Sequence, residues 1–519
     1  MIKKLFFFFS ATCISLSTMA QAPTWADDVA CIVYSHCTSC HNTNGAAPFS
    51  LLTYNNAVTY SSSIRRVIDE NEMPPWPVDN NYRKMAHDRS LSEADKITLL
   101  AWLNTGQTQG NMGNAPATPT YSSAEIITNP NLTIQLPTYK VPTITEDLYR
   151  CFVMPTNQSA QKFITGIEII PGNKSIVHHA QVFYDTTGAT TTLDNNDPGP
   201  GYTSAGGVGT NAAVLLGTWV PGAMPIFVPS GMGKRLPPTA KIIVQIHYPE
   251  YASGESDSTK VNFLFTSATV RNISDAPVLN HNTSMTNGPL FIPKNTVKTF
   301  YQQFFVPFNG TILSIGPHGH LLCQSMKAYA VTLANDTIPL VNIPHWDFHW
   351  QGSYDFQKPI KLPFGTRLYG EATYDNTTNN PENPNDPPQD VSVGESTTDE
   401  MMLFYFSYLA YQAGDENIII DTATHQQHHD NCVTKYNASF ASQSQINAVN
   451  IYPNPANATL TIQLNHTNPF TVCIYNSIGQ LVLQKNNSTT IDISELNKGI
   501  YNVAIVENGK IILKNFIKL

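Results

Sequence analysis

Ile176-Val177-His178-His179-Ala180-Gln181-Val182-Phe183 is the stretch on which the reading of this chain turns. It is short and rich in β-branched residues, so it reads as a strand, and it carries two adjacent histidines. Similar short runs recur at 164–170, 241–247, 261–265 and 403–408, separated by Pro, Gly and Asn clusters. From about residue 125 to 436 the chain is therefore expected to be β. Adjacent strand residues point to opposite faces. His178 and His179 can thus share a ligand only if the backbone leaves regular pleating or the rings use different nitrogens.

Outside this region the character changes. Residues 25–106 read as helical, with Ser92 as a helix cap, Glu93 and Asp95 in the first turn, and Ile97, Leu99, Leu100, Trp102 and Leu103 as an apolar face. Polar linkers are expected at 107–123 and 437–448, and 285–299 looks like a seam between two β halves. The last segment again shows strand-like runs at 460–464, 472–475 and 481–483. A chain of 519 residues is too long for one core and should hold roughly three or four domains.

Charged residues make up 13% of the chain, against about 25% in ordinary soluble domains. With 36 Pro and 29 Gly, this is the composition of an extracellular β-rich protein. The formal net charge of −9, with no basic run, argues against a nucleic-acid partner. Residues 1–22 read as a signal peptide: Lys3 and Lys4, an apolar run over 5–16, then Ala20-Gln21-Ala22. That run is shorter than the ~20 residues needed to span a bilayer, and no later segment could span one. A lipoprotein start at Cys13 is disfavoured by Thr12 before it. The mature chain is expected to be soluble outside the cytoplasm, in an oxidising compartment. Of the eight cysteines, Cys13 leaves with the signal peptide and Cys37 and Cys40 form a pair. Cys31, Cys151, Cys323, Cys432 and Cys473 remain, an odd number whose connectivity sequence does not give.

Cys37-Thr38-Ser39-Cys40-His41 is a C-x-x-C-H run, the attachment signal for c-type haem. Two thiols at this spacing can each form a thioether to one porphyrin, which places the following histidine under the iron. A disulfide or half of a zinc site is the bland alternative. For the sixth ligand, Met73 in Met73-Pro74-Pro75-Trp76 is preferred, with Met85 and His87 as rivals. His36 reads as a surface residue.

Of the 15 histidines, those in the β region sit in suggestive groups. His178-His179 lies in the opening stretch and His247 ends the run 242–248. His318-Gly319-His320 places two rings two residues apart, on one face of a strand, a spacing suited to chelating one metal. Any one of these alone would be an ordinary hydrogen-bonded histidine.

The stretches Val177-His178-His179, Gln245-Ile246-His247-Tyr248, His318-Gly319-His320 and Asp399-Glu400-Met401, in this order, resemble the copper type II, ascorbate-dependent monooxygenases. That group includes peptidylglycine α-hydroxylating monooxygenase and dopamine β-monooxygenase. The resemblance implies an electron-transfer copper on His178, His179 and His247. It also implies an oxygen-activating copper on His318, His320 and Met401, where a thioether suits Cu(I); Met402 is the rival to Met401. The reaction implied hydroxylates an activated C–H bond with O2. An external electron donor is required, and the haem domain is expected to deliver the electrons. The substrate, small molecule or peptide, stays open, because nothing marks residues that recognise glycine-extended peptides or catecholamines. Around 343–350 the likeness is to bacterial members, and His345 and His349 could line a substrate cleft. His425, His428 and His429 read as a solvated loop.

Ile451-Tyr452-Pro453-Asn454-Pro455, Ile474-Tyr475-Asn476-Ser477-Ile478-Gly479-Gln480, Ile491-Asp492-Ile493-Ser494 and Lys498-Gly499-Ile500-Tyr501 closely resemble the C-terminal sorting domain of type IX secretion. That implies a Gram-negative host, passage through the periplasm, release to the surface or medium, and the secretion machinery as a partner. The expected architecture is multidomain and mainly β. A signal peptide (1–22) precedes a small α-helical cytochrome c domain (23–110). Two consecutive β-sandwich, jelly-roll-like copper domains follow (124–284 and 285–436), then a C-terminal Ig-like β-sandwich (449–519). The cofactors expected are two copper ions and haem c. The alternatives are a copper- and haem-binding electron carrier without oxygenase activity, and a zinc hydrolase with Glu400 as its base.

Overall fold

The computed structural model describes residues 22–121, 125–204, 207–420, 449–464, 470–476, 481–507 and 510–519. The signal peptide up to residue 21, Cys432, the histidines at 425, 428 and 429, and the 437–448 linker lie outside the described residues. The chain divides into two compact units, Met1–His429 and Asp430–Leu519. It is mainly β, with several sheets and few helices.

The first unit opens with a π-helical turn, Trp25–Val29, and four helices: α1 (Ala30–His36), α2 (Tyr54–Thr59), α3 (Ser61–Asp69) and α4 (Glu93–Asn104). Ser92 caps α4 as its sequence suggests, its Oγ accepting from Asp95 N at 3.1 Å. Leu99, Trp102 and Leu103 form its buried face, whereas Ile97, expected on that face, is 59% exposed. Trp25 packs edge-on to Tyr34 and Tyr54 and tilted against Trp102, closing a small aromatic core.

The β part of this unit carries the site on seven strands: β1 (Leu148–Pro155), β2 (His179–Asp185), β3 (Val214–Trp219), β4 (Lys241–Tyr248), β5 (Arg271–Asn280), β6 (Gly310–His318) and β7 (Leu403–Ala410). A five-stranded sheet runs Tyr202–Thr203, β1, β4, β2, β3. Its centre, β4, is buried along almost its whole length because both faces are covered. Ile242, Val244, Ile246 and Tyr248 enter the main core of this half, while Ile243 joins a smaller core with Cys151, Tyr202 and Val208. The second set of positions on β4, Ile243, Gln245 and His247, thus shares the face that bears the histidine.

A nine-stranded sheet links the two β halves. In it β5 pairs in parallel with Met232–Leu236 of the first half and antiparallel with β7 of the second, and β7 pairs with β6. A four-stranded sheet, Thr296–Phe305, Arg367–Asn376, Cys323–Val331 and Thr337–Ile343, covers it. Between them lie Leu279, Phe300, Ile315, Met326, Phe356, Phe404 and Phe406, all buried. Each such side chain contributes about 1.5–3 kcal/mol by leaving water.

The helical segment is fastened to this β body. Asp79 N donates to Asn342 O and Ala86 N to Asp355 O, both at 2.8 Å, and Arg83 Nε donates to Pro339 O. Met85 is fully buried within the second core beside Phe356. No disulfide forms among the described residues; Cys151, Cys323 and Cys473 are buried thiols.

The second unit is built from two antiparallel sheets. One holds Val449–Tyr452, Thr459–Leu464 and Thr490–Asp492; the other holds Leu481–Asn486, Thr471–Tyr475, Gly499–Glu507 and Lys510–Lys518. Leu460, Ile462, Val472, Ile474, Ile491, Val503 and Phe516 fill its core. Among the described residues no helix is long and apolar enough to cross a membrane.

Candidate metal centres

Antiparallel register builds the first centre. His247 of β4 lies opposite His179 of β2 on one side and Tyr149 of β1 on the other. Cross-strand partners on one face sit side by side, so two histidines and a tyrosine form a row. Tyr149 stacks on His247 with centroids 4.3 Å apart and planes 12° apart.

His178 joins by leaving the pleat. Strand β2 starts only at His179, and His178 N instead donates to His247 O at 3.0 Å. The Nδ1 atoms of His178 and His247 each lie 3.3 Å from Nδ1 of His179. All three histidines can therefore offer one ring nitrogen within 4.8 Å of the others. Of the two ways in which adjacent histidines could share a ligand, the irregular backbone is the one found, and all three rings converge through the same nitrogen.

The electrostatics keep the His178 and His179 rings neutral. Burial, then the neighbouring His247, lowers His178 to about 4. His179 is pushed well below the ordinary value, again by burial first. A neutral imidazole is the form that binds metal. Asp147 Oδ2 lies 2.9 Å from His247 Nε2, off the line of an aligned N–H bond. The His247 ring in turn holds the Asp147 carboxyl below its usual range. A carboxylate behind a ligating histidine fixes which nitrogen faces the metal. Asp147 lies in a loop with no motif around it, and sequence reasoning missed it.

The second centre is held differently. Strand β6 ends at His318, which lies opposite Leu403 of β7, so His320 does not share a strand face with it as the spacing had suggested. His320 sits instead in a turn that closes at Cys323, whose N donates to His320 O at 3.3 Å. The rings of His318 and His320 still meet, 5.2 Å apart at 90°.

The turn is pinned by Glu400, which is fully buried. Its Oε2 accepts from His320 N at 2.9 Å and Met401 N at 3.0 Å, and its Oε1 from Leu322 N at 2.7 Å. One carboxylate thus ties the backbones of His320 and Met401 together. Burial pushes Glu400 up to about 8, against the pull of these amides. With both oxygens engaged in this way, nothing supports the role of Glu400 as a hydrolytic base.

Met401 is 7% exposed, and its carbonyl accepts from Tyr374 Oη at 2.7 Å. Met402 is fully buried in the second core. His318 is lowered to about 3 by burial and then by His320, and His320 Nδ1 lies 3.0 Å from Asp399 O. His281, at the end of β5 and unmarked by any motif, completes the surroundings. Its Nδ1 accepts from Met402 N at 3.3 Å, and it lowers His318 and His320 is among the groups that lower it.

The two centres approach one another. His318 is among the groups that lower His179, and the short turn Phe348–Trp350 reaches both. His349 lies 6.4 Å from the His178 ring and Phe348 6.0 Å from the His320 ring. His349 Nδ1 is held by Asp347 at 2.9 Å. The structure gives His345 no contact with either centre.

The C-x-x-C-H run begins at the C-cap of α1 and forms the turn after it. His41 Nδ1 lies 3.1 Å from Phe49 O, a contact that leaves Nε2 as the outward nitrogen, and Phe49 stacks on Tyr60 at 3.9 Å. The donor set of two thiols and such a histidine fits a c-type haem. Met73 N donates to Val67 O at 3.1 Å in a partly buried loop. Met85 is unsuited to the sixth position because the second core encloses it. His87 lies 3.8 Å from Asp355. His36, expected on the surface, is partly buried with Nδ1 3.2 Å from Arg89 O.

Residues 296–443 match the family model of the copper type II ascorbate-dependent monooxygenase C-terminal domain. Residues 450–519 match the secretion system C-terminal sorting domain. The first match brings an oxidoreductase family that uses copper, and it covers His318, His320 and Met401 but not the first centre. The second makes the chain a secreted or cell-surface protein and the secretion machinery its partner. Among curated proteins none matches the chain. Solved structures similar to it include a β-glucuronidase from Faecalibacterium prausnitzii, at 12% identity over 68% of this chain and TM-score 0.13. Of that enzyme's length the chain spans about half, 46%. PNGase F, a glycosylasparaginase from Flavobacterium meningosepticum, shows 11% identity over 54% of this chain and 96% of its own, at TM-score 0.22. Likeness at these scores carries no argument about fold or activity.

Proposed function

We propose that the chain is a secreted copper-dependent monooxygenase that hydroxylates an activated C–H bond with O2. The observation that carries this reading is the convergence of three histidines, His178, His179 and His247, through their Nδ1 atoms. It lies on the same unit as a matched copper monooxygenase domain.

His178, His179 and His247 would hold one copper; His318, His320 and Met401 would hold the other. Copper supplies one-electron chemistry and oxygen activation when bound. The protein's own part is positioning. Tyr149 and Asp147 fix the His247 ring, and the first centre needs no backbone movement to present its nitrogens. Glu400 holds His320 and Met401 in one frame. Met402 serves the core, which leaves Met401 as the thioether ligand. Phe348 and His349 line the gap where a substrate would enter.

Cys37 and Cys40 would carry haem c through thioethers, and His41 and Met73 would hold its iron. Haem supplies one-electron delivery from an external donor. The architecture proposed is a helical cytochrome c domain, two β-sandwich copper domains and an Ig-like sorting sandwich.

Metal analysis of copper-supplemented protein, with an optical haem spectrum, tests the reading. Two coppers per haem iron are expected, with one lost in Met401→Ala or His318→Ala. Zinc in these sites, or haem iron without copper, would overturn it.

A further inference from the structure

The junction between the C-x-x-C-H run and the first β half is tighter than a tethered domain requires. Val220-Pro221-Gly222-Ala223 is a turn, closed by Ala223 N donating to Val220 O at 2.8 Å. Gly222 has φ +80°, and Pro followed by a positive-φ Gly is the pattern of a type II turn. A Cβ on Gly222 would lie 2.5 Å from Cys40 Sγ and 3.2 Å from Arg89 Nη1. The peptide of this turn is therefore pressed directly against one of the two thiols.

Arg89 clamps this contact from both sides. Its Nη2 donates to Gly222 O at 3.0 Å, and its own carbonyl meets His36, the residue before Cys37. A second strap lies nearby: Lys174 Nζ donates to Asn44 O at 2.7 Å. Lys174 is four residues before His178, and Asn44 lies just beyond His41. Contacts of the helical segment with the second β half come from residues 76–87 instead.

The turn follows β3 directly. Trp219, the last residue of β3, lies opposite Ala180 of β2, and Ala180 follows His179. From Cys40 the connection thus crosses one van der Waals contact, the short turn and one strand pairing before it reaches a histidine of the first centre.

We propose that the Val220–Ala223 turn is the electron-entry contact of the His178/His179/His247 centre, with Arg89 as the residue that positions it. This rests on the haem and copper assignments above. One electron leaves ferrous haem, which becomes ferric, and reduces one Cu(II) at that centre to Cu(I). No atom or proton is exchanged, and an external one-electron reductant restores the ferrous state.

The experiment uses full-length protein loaded with haem and copper. Under anaerobic conditions the haem is reduced by a light flash, and the recovery of its ferric absorbance is followed, with copper content measured in parallel. One electron equivalent should recover in the wild type and in Met401→Ala, and recovery should be lost in His247→Ala. Gly222→Val should slow it about tenfold or more, since a small misplacement of reacting partners has large rate effects, while the haem spectrum and copper content stay unchanged. Arg89→Ala should slow it likewise and serves where Gly222→Val does not fold. Recovery that persists in His247→Ala, or disappears in Met401→Ala, overturns the proposal. So does a wild-type rate in both junction variants. Protein with intact haem and copper but no recovery overturns the route and leaves the haem assignment standing. Protein without covalent haem overturns that assignment as well.

Discussion

The two histidine centres sit in one unit and are made by opposite means. In the first, the sheet does the work: His179, His247 and Tyr149 are neighbours because three strands pair in register, and a single irregular residue adds His178. In the second, β6 stops at His318, and His320 and Met401 are brought back by a buried carboxylate that accepts three backbone amides. A register-built site shares the stability of its sheet. A turn-built site depends on one side chain, so damage to that side chain should separate the two centres.

The largest effect is expected from Glu400→Ala. It strands three buried N–H donors, and one buried unsatisfied group costs about 1–3 kcal/mol. The first unit should lose on the order of 3 kcal/mol or more on that basis, seen as a lowered melting temperature. Copper analysis should show the second metal lost and the first kept. Equal loss of both coppers would mean that the two centres are not built independently.

Acid should sharpen the comparison next. In the metal-free protein His178 is lowered to about 4 and His318 to about 3, both below the ordinary value of about 6.5. Between those limits the unfolded chain binds more protons than the folded one, so stability rises with pH. It is fully present above about pH 6.5 and is lost as pH falls toward the folded values. Melting temperature against pH should therefore fall through this window. The contribution of His178 should be exhausted near pH 4, and that of His318 only near pH 3. His178→Gln and His318→Gln should each flatten the curve over their own part of it; curves unchanged by both would refute the assignment.

What the sequence showed and hid follows the same division. The strands were legible because apolar runs of the right length stood between turn residues, and 164–170, 241–247 and 403–408 all lie within observed strands. The cap of α4 was legible because Ser92 and Asp95 act locally. Cross-strand partners were not, since register depends on residues about seventy positions apart, as His179 and His247 are. The spacing of His318 and His320 suggested a strand face, whereas the real cause is Glu400, which in sequence looked like a base. His36 looked superficial because nothing in the sequence brings Arg89 over it. Asp147 and His281 carry no local signal: each matters only through what the fold sets beside it.

Asp147→Asn tests the register-built centre in the way Glu400→Ala tests the other. The carboxylate lies behind His247 rather than among the ligands, and partners in that position typically set metal affinity by about 10–100-fold. Copper titration should show a loss of that order at the first centre and none at the second, with the melting temperature of the metal-free protein little changed. A loss at both centres would mean that Asp147 acts across the gap between them.

The smallest effect is expected at Tyr149. Its ring covers one face of His247 at 4.3 Å, and an aromatic pair of this kind contributes about 0.5–1.5 kcal/mol beyond its buried area. Tyr149→Phe keeps the ring and should leave copper binding as it was. Tyr149→Leu keeps apolar bulk without the stacking face and should weaken first-centre copper modestly, well short of the Asp147 effect. Because His247 is also fixed by its strand pairings and by Asp147, the ring should be a guide rather than a support. If Tyr149→Leu instead emptied the first centre, the register of the sheet would not be what holds it, and the contrast with the Glu400 turn would fail.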